Sequence, residues 1–235
     1  MLERLSEAFK IQRQFTENAA HELRTPLSLM QIQLDLYNSG KHPGNDADTI
    51  QTIKMLTEQN ERLSKMVKTL LDMSELQTVG RDETIIVNAL VDEVLADLEP
   101  LAQEKNIKLI GKCKDVNMVG SDILIYRLVY NLVENAIKYN HYGGQVIVEA
   151  YQKEKQVYLS VEDTGSGIPE ELKERVFEPF FRVDKSRSRE LGGVGLGLAL
   201  VNEIVRVHDG SIAIRPNPSG GTIIEVQFAV NRTTA

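Results

Sequence analysis

Apolar residues in the first third of the chain recur every three or four positions along two long stretches, residues 1–38 and 48–76. This spacing is typical of helices that bury one face. The intervening residues 39–46 are dense in turn formers, and such a segment must end the first helix. The sequence therefore predicts two long helices joined by a short turn, which is an antiparallel helical hairpin.

A hairpin of two helices cannot enclose its own apolar face. On the first helix, the apolar residues Phe15, Leu23, Leu27 and Leu34 fall within a sector of roughly 120°. A second copy of the hairpin would cover this face and complete a four-helix bundle. We therefore predict a homodimer.

The pattern changes after a short polar segment, residues 77–82, where we place a domain boundary. The predicted domains are residues 1–78 and 83–230. In the second domain, alternation of apolar and polar residues predicts strands that are joined mostly in hairpins, with the helices gathered apart, and this indicates an α+β sandwich. The predicted strands are 83–87, 107–112, 117–119, 146–150, 157–162, 211–214 and 222–228. The predicted helices include 88–106, capped by Asn88 and kinked or broken at Pro100, and 122–139, capped by Ser121 or Asp122.

Composition places the chain among ordinary globular proteins. Of its 235 residues, 42 % are hydrophobic and 26 % are charged, which is enough apolar material to bury a core. The net charge of −7 argues against a nucleic-acid surface, which needs clustered, uncompensated Lys and Arg. Cys113 is the single cysteine, so an intramolecular disulfide and a thiolate metal site are excluded. No run of about 18 apolar residues occurs, so we expect no membrane crossing.

A histidine in the first helix lies opposite the apolar face. His21 is about 180° from the centre of that face, so we expect its imidazole to point at water. A lone exposed histidine is usually a plain surface residue. Here, however, Glu22 can hold one ring nitrogen and leave the other nucleophilic, and Thr25 lies one turn further on the same face. Pro26 removes a backbone N–H and predicts a bend at this point. These neighbours favour a chemical role for His21.

Polar residues also share one face of the predicted helix 122–139. Asn131, Glu134, Asn135 and Lys138 follow one another at i, i+3, i+4 and i+7. A polar helix face is usually only solvated. Asparagines are poor helix formers, however, and two of them one turn apart with a carboxylate between them suit oxygen ligation of Mg²⁺.

Two glycine-rich segments follow. Residues 163–167, DTGSG, come directly after a predicted strand, where the aspartate can accept a hydrogen bond from an exocyclic amine. Residues 192–199 run into an apolar helix, and their glycines let backbone amides approach an anion at the helix N-terminus. Neither segment is specific alone, because the Lys-Ser/Thr of a P-loop and the strand–glycine–helix unit of a dinucleotide fingerprint are both missing. Between them, residues 177–191 are interpreted as a mobile lid that could clamp phosphates with Arg182, Lys185, Arg187 and Arg189.

The motif HELRTPLS around His21 resembles the phospho-acceptor motif of sensor histidine kinases of two-component systems. The later elements, in their order, resemble the N, G1, F and G2 boxes of the catalytic domain of that family, whose ATP-binding fold is shared with gyrase and the heat-shock chaperones. The resemblance covers essentially the whole chain from Phe15 to Phe228. One departure is Val194, which stands where the family often has threonine. The implied fold is a helical hairpin forming a dimeric four-helix bundle, followed by an α+β sandwich of this ATP-binding type.

The resemblance also implies roles for individual residues. In the hairpin, His21 would be autophosphorylated, Glu22 would be its acid/base partner, and Thr25 would position a water when the same surface dephosphorylates a partner. Phe177 and Phe180 would anchor the lid in the core. In the catalytic domain, Asn131 and Asn135 would hold Mg²⁺, Asp163 would read the adenine amine, Lys138 and Arg182 would meet phosphates, and Tyr139, Gly165, Gly167, Gly193, Gly195, Leu196 and Gly197 would shape the pocket.

The implied function is autophosphorylation that depends on ATP and Mg²⁺, phosphoryl transfer to an aspartate of a response regulator receiver domain, and phosphatase activity toward that regulator. The implied setting is a homodimer in the cytoplasmic portion of a bacterial cell-membrane receptor, with no nucleic-acid partner and no direct membrane contact. Two alternatives remain open: a plain ATPase of the same fold, in which Glu134 activates water, and an ATP-gated dimer scaffold. The HELRT helix disfavours both, because neither needs a solvent-facing histidine beside a carboxylate.

Overall fold

The computed structural model describes residues 2–38, 46–76, 78–184 and 193–230. The first two helices are α1 (Leu2–Asn38) and α2 (Asp46–Glu75), and they pack against each other as the predicted hairpin. No helix among the described residues combines the length and the apolar composition that crossing a membrane requires. The cations predicted for the lid at Lys185, Arg187 and Arg189 lie outside the described residues.

Helix α1 continues without a break through Pro26, which is buried. The missing amide of Pro26 leaves the carbonyl of Glu22 without its helical donor. In the same turn, the hydroxyl of Thr25 donates to the carbonyl of His21 at 3.2 Å, a bond that hydroxyls on helices commonly make to the preceding turn. The turn from His21 to Pro26 therefore stays helical, and the side chain of His21 is exposed as predicted.

The apolar face of α1 is covered unevenly in the single chain. Phe15 and Leu23 are half-buried against other parts of the molecule, whereas Leu27 and Leu34 remain 53 % and 42 % exposed. Large apolar side chains are not normally left in water over a continuous face. The second half of α1 therefore has an apolar surface that the described residues leave exposed.

The remaining described residues form an α/β domain with two sheets. Its strands are β1 (Glu83–Ile86), β2 (Lys108–Cys113), β3 (Asn117–Gly120), β4 (Gln145–Lys153), β5 (Gln156–Asp163), β6 (Ser211–Pro216) and β7 (Thr222–Ala229), and its helices are α3 (Val87–Glu104), α4 (Asp122–Lys138) and α5 (Gly197–Val207). Within the described ranges, β2-β4-β5-β7-β6 form a sheet in that order, in which β2 and β4 are parallel and the other pairs antiparallel. Strands β1 and β3 pair separately.

The core lies between the larger sheet and the three helices. Along β5, Val157, Leu159 and Val161 are buried while the alternating residues are partly exposed, as the period of two requires. The helices bury their apolar faces on this side of the sheet. The predicted sandwich and the hairpin of β4 and β5 are therefore confirmed, which fixes α4 and the end of β5 side by side.

One local prediction was wrong, and a second was excluded in part. Helix α3 begins at Val87 after Ile86, so Asn88 is not its cap, and the Asn88 side chain instead donates to Asp115 at 3.4 Å. The helix also continues through Pro100 to Glu104, so the predicted break is absent, whereas the alternative, a kink at Pro100, stays a prediction. Pro100 is exposed on the outer side of the helix, so the carbonyl that loses its donor can bind water at little cost.

The start of α4 is held by side chains from distant segments. Ser121 precedes the helix but makes no side-chain cap bond; its amide donates to Nε2 of His208 at 3.1 Å. The amide of Asp122 donates to Glu83 at 2.9 Å. Nδ1 of His208 lies 2.8 Å from the carbonyl of Ile204, so this histidine bridges α5 and the start of α4, with Nδ1 as the donor and Nε2 as the acceptor.

The hairpin packs directly against the α/β domain. Met66 of α2 is fully buried with Val194 and Leu196, and Leu23 and Phe180 pack at the edge of this cluster. The same helix contacts α4 through ion pairs, including Asp72 with Arg127 at 3.0 Å. Helix α1 and the glycine-rich residues 193–197 therefore belong to one continuous contact region.

Candidate active site

The carboxylate next to His21 is engaged by two arginines. Glu22 accepts a hydrogen bond from Arg62 of α2 at 3.2 Å and a shorter one from Arg182. Arg182 lies 160 residues away in the chain, in residues 177–184, which we call the lid segment. The described contacts of Glu22 are therefore to these guanidinium groups, and the exposed ring of His21 faces a cavity.

This cavity, here called the acceptor cavity, has a volume of about 390 Å³. Residues of α1, His21 and Glu22 among them, form one wall, and Arg175, Phe181 and Arg182 line the other. The Arg175 guanidinium lies 4.4 Å from the centre of the Phe181 ring, a cation–π contact. His21 thus opens onto a space whose opposite wall carries two arginines, of which Arg175 pairs with Glu178 and Arg182 with Glu22.

A second space of about 330 Å³, here called the nucleotide cavity, lies on the other side of the lid segment. Phe181 and Arg182 line both cavities. The structure brings most of the residues predicted for the nucleotide site to its wall: Asn131, Asn135, Lys138, Tyr139, Asp163, Gly167, Arg182, Gly193, Gly195, Leu196 and Gly197. Gly165 does not line the cavity, although its amide donates to Asp163, which does.

Asp163 ends β5 and is fixed by backbone amides. Its Oδ1 accepts from the amides of Gly165 at 2.7 Å and Thr222 at 3.3 Å. Burial raises the pKa of the Asp163 carboxyl, and the two amide donors oppose this shift. Gly165 is required here because a Cβ would lie 2.4 Å from the carbonyl of Tyr139. The carboxylate is thus held in the cavity wall through one oxygen.

The two asparagines of α4 converge on the start of α5. Asn131 donates its amide N–H to the carbonyl of Arg127 at 2.8 Å, which turns its oxygen away from the helix. A Cβ built on Gly197 would lie 2.9 Å from that oxygen and 3.6 Å from the amide nitrogen Nδ2 of Asn135. Gly197 therefore allows both side chains to approach the start of α5. An amide oxygen suits Mg²⁺, so Asn135 would have to rotate its amide to present its oxygen there. Among the described residues, no group of three or more His, Cys, Asp or Glu side chains could hold a metal, so the amide oxygens are the candidate protein ligands.

Glu134 lies between the asparagines and makes two ion pairs. Its Oε1 is 2.5 Å from Nζ of Lys65 and 3.1 Å from Nζ of Lys138. Burial alone would raise the pKa of this carboxyl, but Lys138 and Lys65 together lower it. A carboxyl with a lowered pKa is a weak base, which disfavours Glu134 as the group that activates water.

The glycine-rich residues 193–197 contact the lid segment through the backbone, where the amide of Phe180 donates to the carbonyl of Gly195 at 2.8 Å. Gly195 has a φ of +79°, and a Cβ there would lie 2.7 Å from the carbonyl of Phe181. Val194, where the family often has threonine, is buried with Met66 of the hairpin, so an apolar side chain suits this position. Phe180 packs 5.8 Å from Phe15, ring centre to ring centre. The prediction placed this anchor of the lid segment in the core, whereas Phe180 packs on the hairpin. Phe177, the second predicted anchor, is half-buried at the end of a short 3₁₀ turn.

Several residues of the nucleotide cavity were not predicted from the sequence, and three of them carry polar side chains that matter for the site. Thr222 holds Asp163 from the beginning of β7, and Lys65 and Thr69 reach the cavity from α2. A glycine pair before Thr222 hinted at a close approach of the backbone. No local signal marks Lys65 or Thr69, because their position depends on how the hairpin docks.

Two family models match the chain. The model described as His Kinase A (phospho-acceptor) domain matches residues 11–79, and the model described as Histidine kinase-, DNA gyrase B-, and HSP90-like ATPase matches residues 120–232. Among curated proteins, Sensor histidine kinase RppB of Synechocystis sp. is 34 % identical over 95 % of this chain and 50 % of its own length. Sensor protein CutS of Streptomyces coelicolor is 35 % identical over 98 % and 56 %. The chain spans about half the length of these relatives.

Solved structures give a consistent result. The Acinetobacter baumannii histidine kinase AdeS is similar with a TM-score of 0.74 and 26 % identity, covering 90 % of this chain and 98 % of that one. The histidine kinase ThkA, solved in complex with the response regulator protein TrrA, is similar with a TM-score of 0.79 and 25 % identity, covering 98 % and 65 %. The phospho-acceptor model and the ATPase model match in that order along the chain, and the relatives found by sequence and by structure are histidine kinases. The chain therefore belongs to the sensor histidine kinases of two-component systems.

Proposed function

We propose that this chain is an ATP-dependent protein-histidine kinase that phosphorylates His21 and passes the phosphoryl group to an aspartate of a response regulator receiver domain. The observation that carries the proposal is the pair of adjoining cavities. The acceptor cavity, onto which the exposed imidazole of His21 opens, and the cavity lined by the residues predicted to bind nucleotide share Phe181 and Arg182 of the lid segment. Phosphoryl transfer needs this proximity more than it needs covalent help from the protein.

Within the nucleotide cavity, each group has a proposed task. Asp163 accepts a hydrogen bond from the exocyclic amine of adenine with the carboxylate oxygen that the backbone amides do not hold. Lys138 and Arg182 neutralise phosphate charge. Asn131 and Asn135 would hold Mg²⁺, which when bound offsets the charge of the phosphate oxygens and orients them.

In the transfer itself, a ring nitrogen of His21 forms a bond to the γ-phosphorus while the bond from that phosphorus to the bridging oxygen breaks, and ADP leaves. The attacking nitrogen must be unprotonated, and the proton on the other ring nitrogen passes to a base, for which Glu22 is the candidate. Glu22 is held by Arg62 and Arg182, so it must exchange these partners before it can face His21. The phosphates of ATP compete for Arg182, and this competition would leave Arg62 as the remaining partner of Glu22.

The same helix supports the proposed second activity. The hydroxyl of Thr25 uses its hydrogen on the carbonyl of His21, so its oxygen remains an acceptor for a water. A water held there can attack the aspartyl phosphate of a docked regulator. That the related ThkA was solved with a response regulator supports a partner of this class. The exposed Leu27 and Leu34 support a homodimer, and the predicted placement in the cytoplasmic portion of a receptor remains a prediction.

The decisive experiment is incubation with ATP labelled at the γ-phosphate. We expect protein-bound label that is lost in acid and stable in base, as a phosphohistidine is, and no such label on His21→Gln. Binding of unlabelled Mg-ATP to His21→Gln should equal that of the original protein, because the histidine lines a different cavity. Acid-labile label that persists on His21→Gln would refute the assignment of the acceptor.

A further inference from the structure

Helix α2 of the acceptor hairpin contributes to the wall of the nucleotide cavity. Lys65 and Thr69 line that cavity together with residues of α4. The ammonium group of Lys65 donates to Glu134 Oε1 at 2.5 Å, and Lys138 lies 3.1 Å from the same oxygen. Two cations from two domains therefore meet on one carboxylate oxygen at the edge of the cavity.

This cluster carries more positive charge than its carboxylate can neutralise. The side chains of Glu134 and Lys138 are only 12 % and 17 % exposed, whereas that of Lys65 is 49 % exposed. Burial lowers the pKa of Lys138, Glu134 opposes this shift, and the nearby charge of Lys65 adds to it. Among these three side chains there are two cations and one anion, and Lys138 is mostly buried, so an anion in the cavity would stabilise the second cation.

We propose that Lys65 is a phosphate-binding residue of the nucleotide site, supplied by the phospho-acceptor domain to the polyphosphate chain of the bound nucleotide. The inference rests on the proposed function, in which this cavity holds Mg-ATP. The Lys65 side chain is flexible and about half of its surface is exposed. Its ammonium group can therefore move from Glu134 to a phosphate while Lys138 remains paired with the Glu134 carboxylate.

Coupling between the domains follows from this geometry. A nucleotide with phosphates binds the docked arrangement more tightly than the undocked one, because only docking brings Lys65 to the cavity. By linkage, the phosphates must then stabilise docking of the hairpin by the same factor, whereas adenosine, which has no phosphate, must not.

The competing explanation is that Lys65 only stabilises the packing of α2 against α4 through its ion pair with Glu134. The chain offers a matched control for this explanation. Asp72 and Arg127 pair at 3.0 Å between the same two helices, seven residues further along α2 and seven residues earlier in α4. Neither of them is among the residues that line the nucleotide cavity. Loss of this pair removes an ion pair between the domains without removing a charge from the cavity.

The experiment compares Mg-ATP and adenosine binding by the full chain in a His21→Gln background, which prevents transfer during the titration. Affinities are measured by calorimetry for the reference protein and for Lys65→Met, Lys65→Arg and Asp72→Asn. We expect Lys65→Met to weaken Mg-ATP binding about ten-fold, equivalent to about 1.4 kcal/mol, and to leave adenosine binding within about two-fold. Lys65→Arg should recover most of the loss, and Asp72→Asn should leave the ratio of the two affinities unchanged.

Several outcomes would overturn the inference. These are Mg-ATP binding by Lys65→Met equal to that of the reference protein, an equal loss for Mg-ATP and adenosine, or a selective Mg-ATP loss of the same size in Asp72→Asn. A reference protein that binds no Mg-ATP would overturn the proposed function together with the inference. A reference protein that binds Mg-ATP, with an unchanged affinity ratio in Lys65→Met, would overturn only the role of Lys65. Thermal unfolding of each variant checks that the folds are equivalent.

Discussion

The substitution Asp163→Asn tests adenine recognition with little disturbance of the fold. Oδ1 of Asp163 accepts from the amides of Gly165 and Thr222. The carbonyl oxygen of an asparagine can keep both of these bonds. Its amide nitrogen then replaces the second carboxylate oxygen, so a donor meets the exocyclic amine of adenine, which is also a donor.

The expected loss follows from the type of bond removed. A hydrogen bond to a charged group contributes about 1.5–3 kcal/mol, so removing it should weaken ATP binding roughly ten- to a hundred-fold. Stability should change little, because the amide bonds remain and the cost of burying a charge disappears. ITP carries a carbonyl where ATP carries the amine, so the asparagine amide can donate to it. Asp163→Asn should therefore discriminate against ITP far less than the original protein does.

The assay is competition of ATP and ITP against a fluorescent nucleotide, with thermal unfolding as the check on the fold. Equal ATP affinity in Asp163→Asn and the original protein, with equal midpoints of unfolding, would refute the reasoning. A loss of ATP binding with no change in preference for ITP would show that the carboxylate acts through the backbone of the cavity and not on the base.

The pH dependence gives an independent check. Burial raises the pKa of Asp163, so the folded protein holds this proton more tightly than the unfolded chain does. Protonation therefore favours folding at low pH, and this contribution is lost as the pH rises through the raised pKa. The pH dependence of adenine binding has the opposite sign to that of stability, because the Asp163 carboxyl is a pure hydrogen-bond acceptor only when it is ionised. ATP affinity should fall as the pH is lowered through that raised pKa, and Asp163→Asn should lack this dependence.

Three further predictions address the other proposed roles. Asn135→Ala should abolish both Mg-dependent ATP binding and autophosphorylation, while the circular dichroism spectrum stays that of the folded protein. Unchanged Mg-ATP affinity would count against the metal role. Thr25→Ala should keep autophosphorylation within a few-fold but lose most acceleration of regulator dephosphorylation, measured as the decay of a phosphorylated receiver domain; an unchanged rate of decay would exclude a water held by this hydroxyl. Replacing both Leu27 and Leu34 with Lys should shift the protein to monomer in analytical ultracentrifugation, and a dimer that survives both charges would place the interface elsewhere.

Local pattern in the sequence was sufficient for most of the fold. Helix and strand periodicity located α1, α2, α4 and the hairpin of β4 and β5, because each of these buries one regular face. The cap predicted at Asn88 and the break predicted as one alternative at Pro100 are both absent for a common reason. A cap contributes about 1 kcal/mol and a proline in a helix interior costs about 3 kcal/mol, and burial of the apolar face of α3, including Val91, Val94 and Leu98, outweighs both.

The same distinction holds for the site. Residues that act from one element, such as Asn131 and Asn135 on successive turns of α4, are marked by their spacing. What the tertiary structure alone decided is which distant charges meet: Arg182 with Glu22, and Lys65 with Glu134. These partners are 160 and 69 residues apart in the chain. They come together because Met66, Val194 and Leu196 bury apolar surface between the two domains, and non-directional burial of that kind leaves no fixed spacing in a sequence.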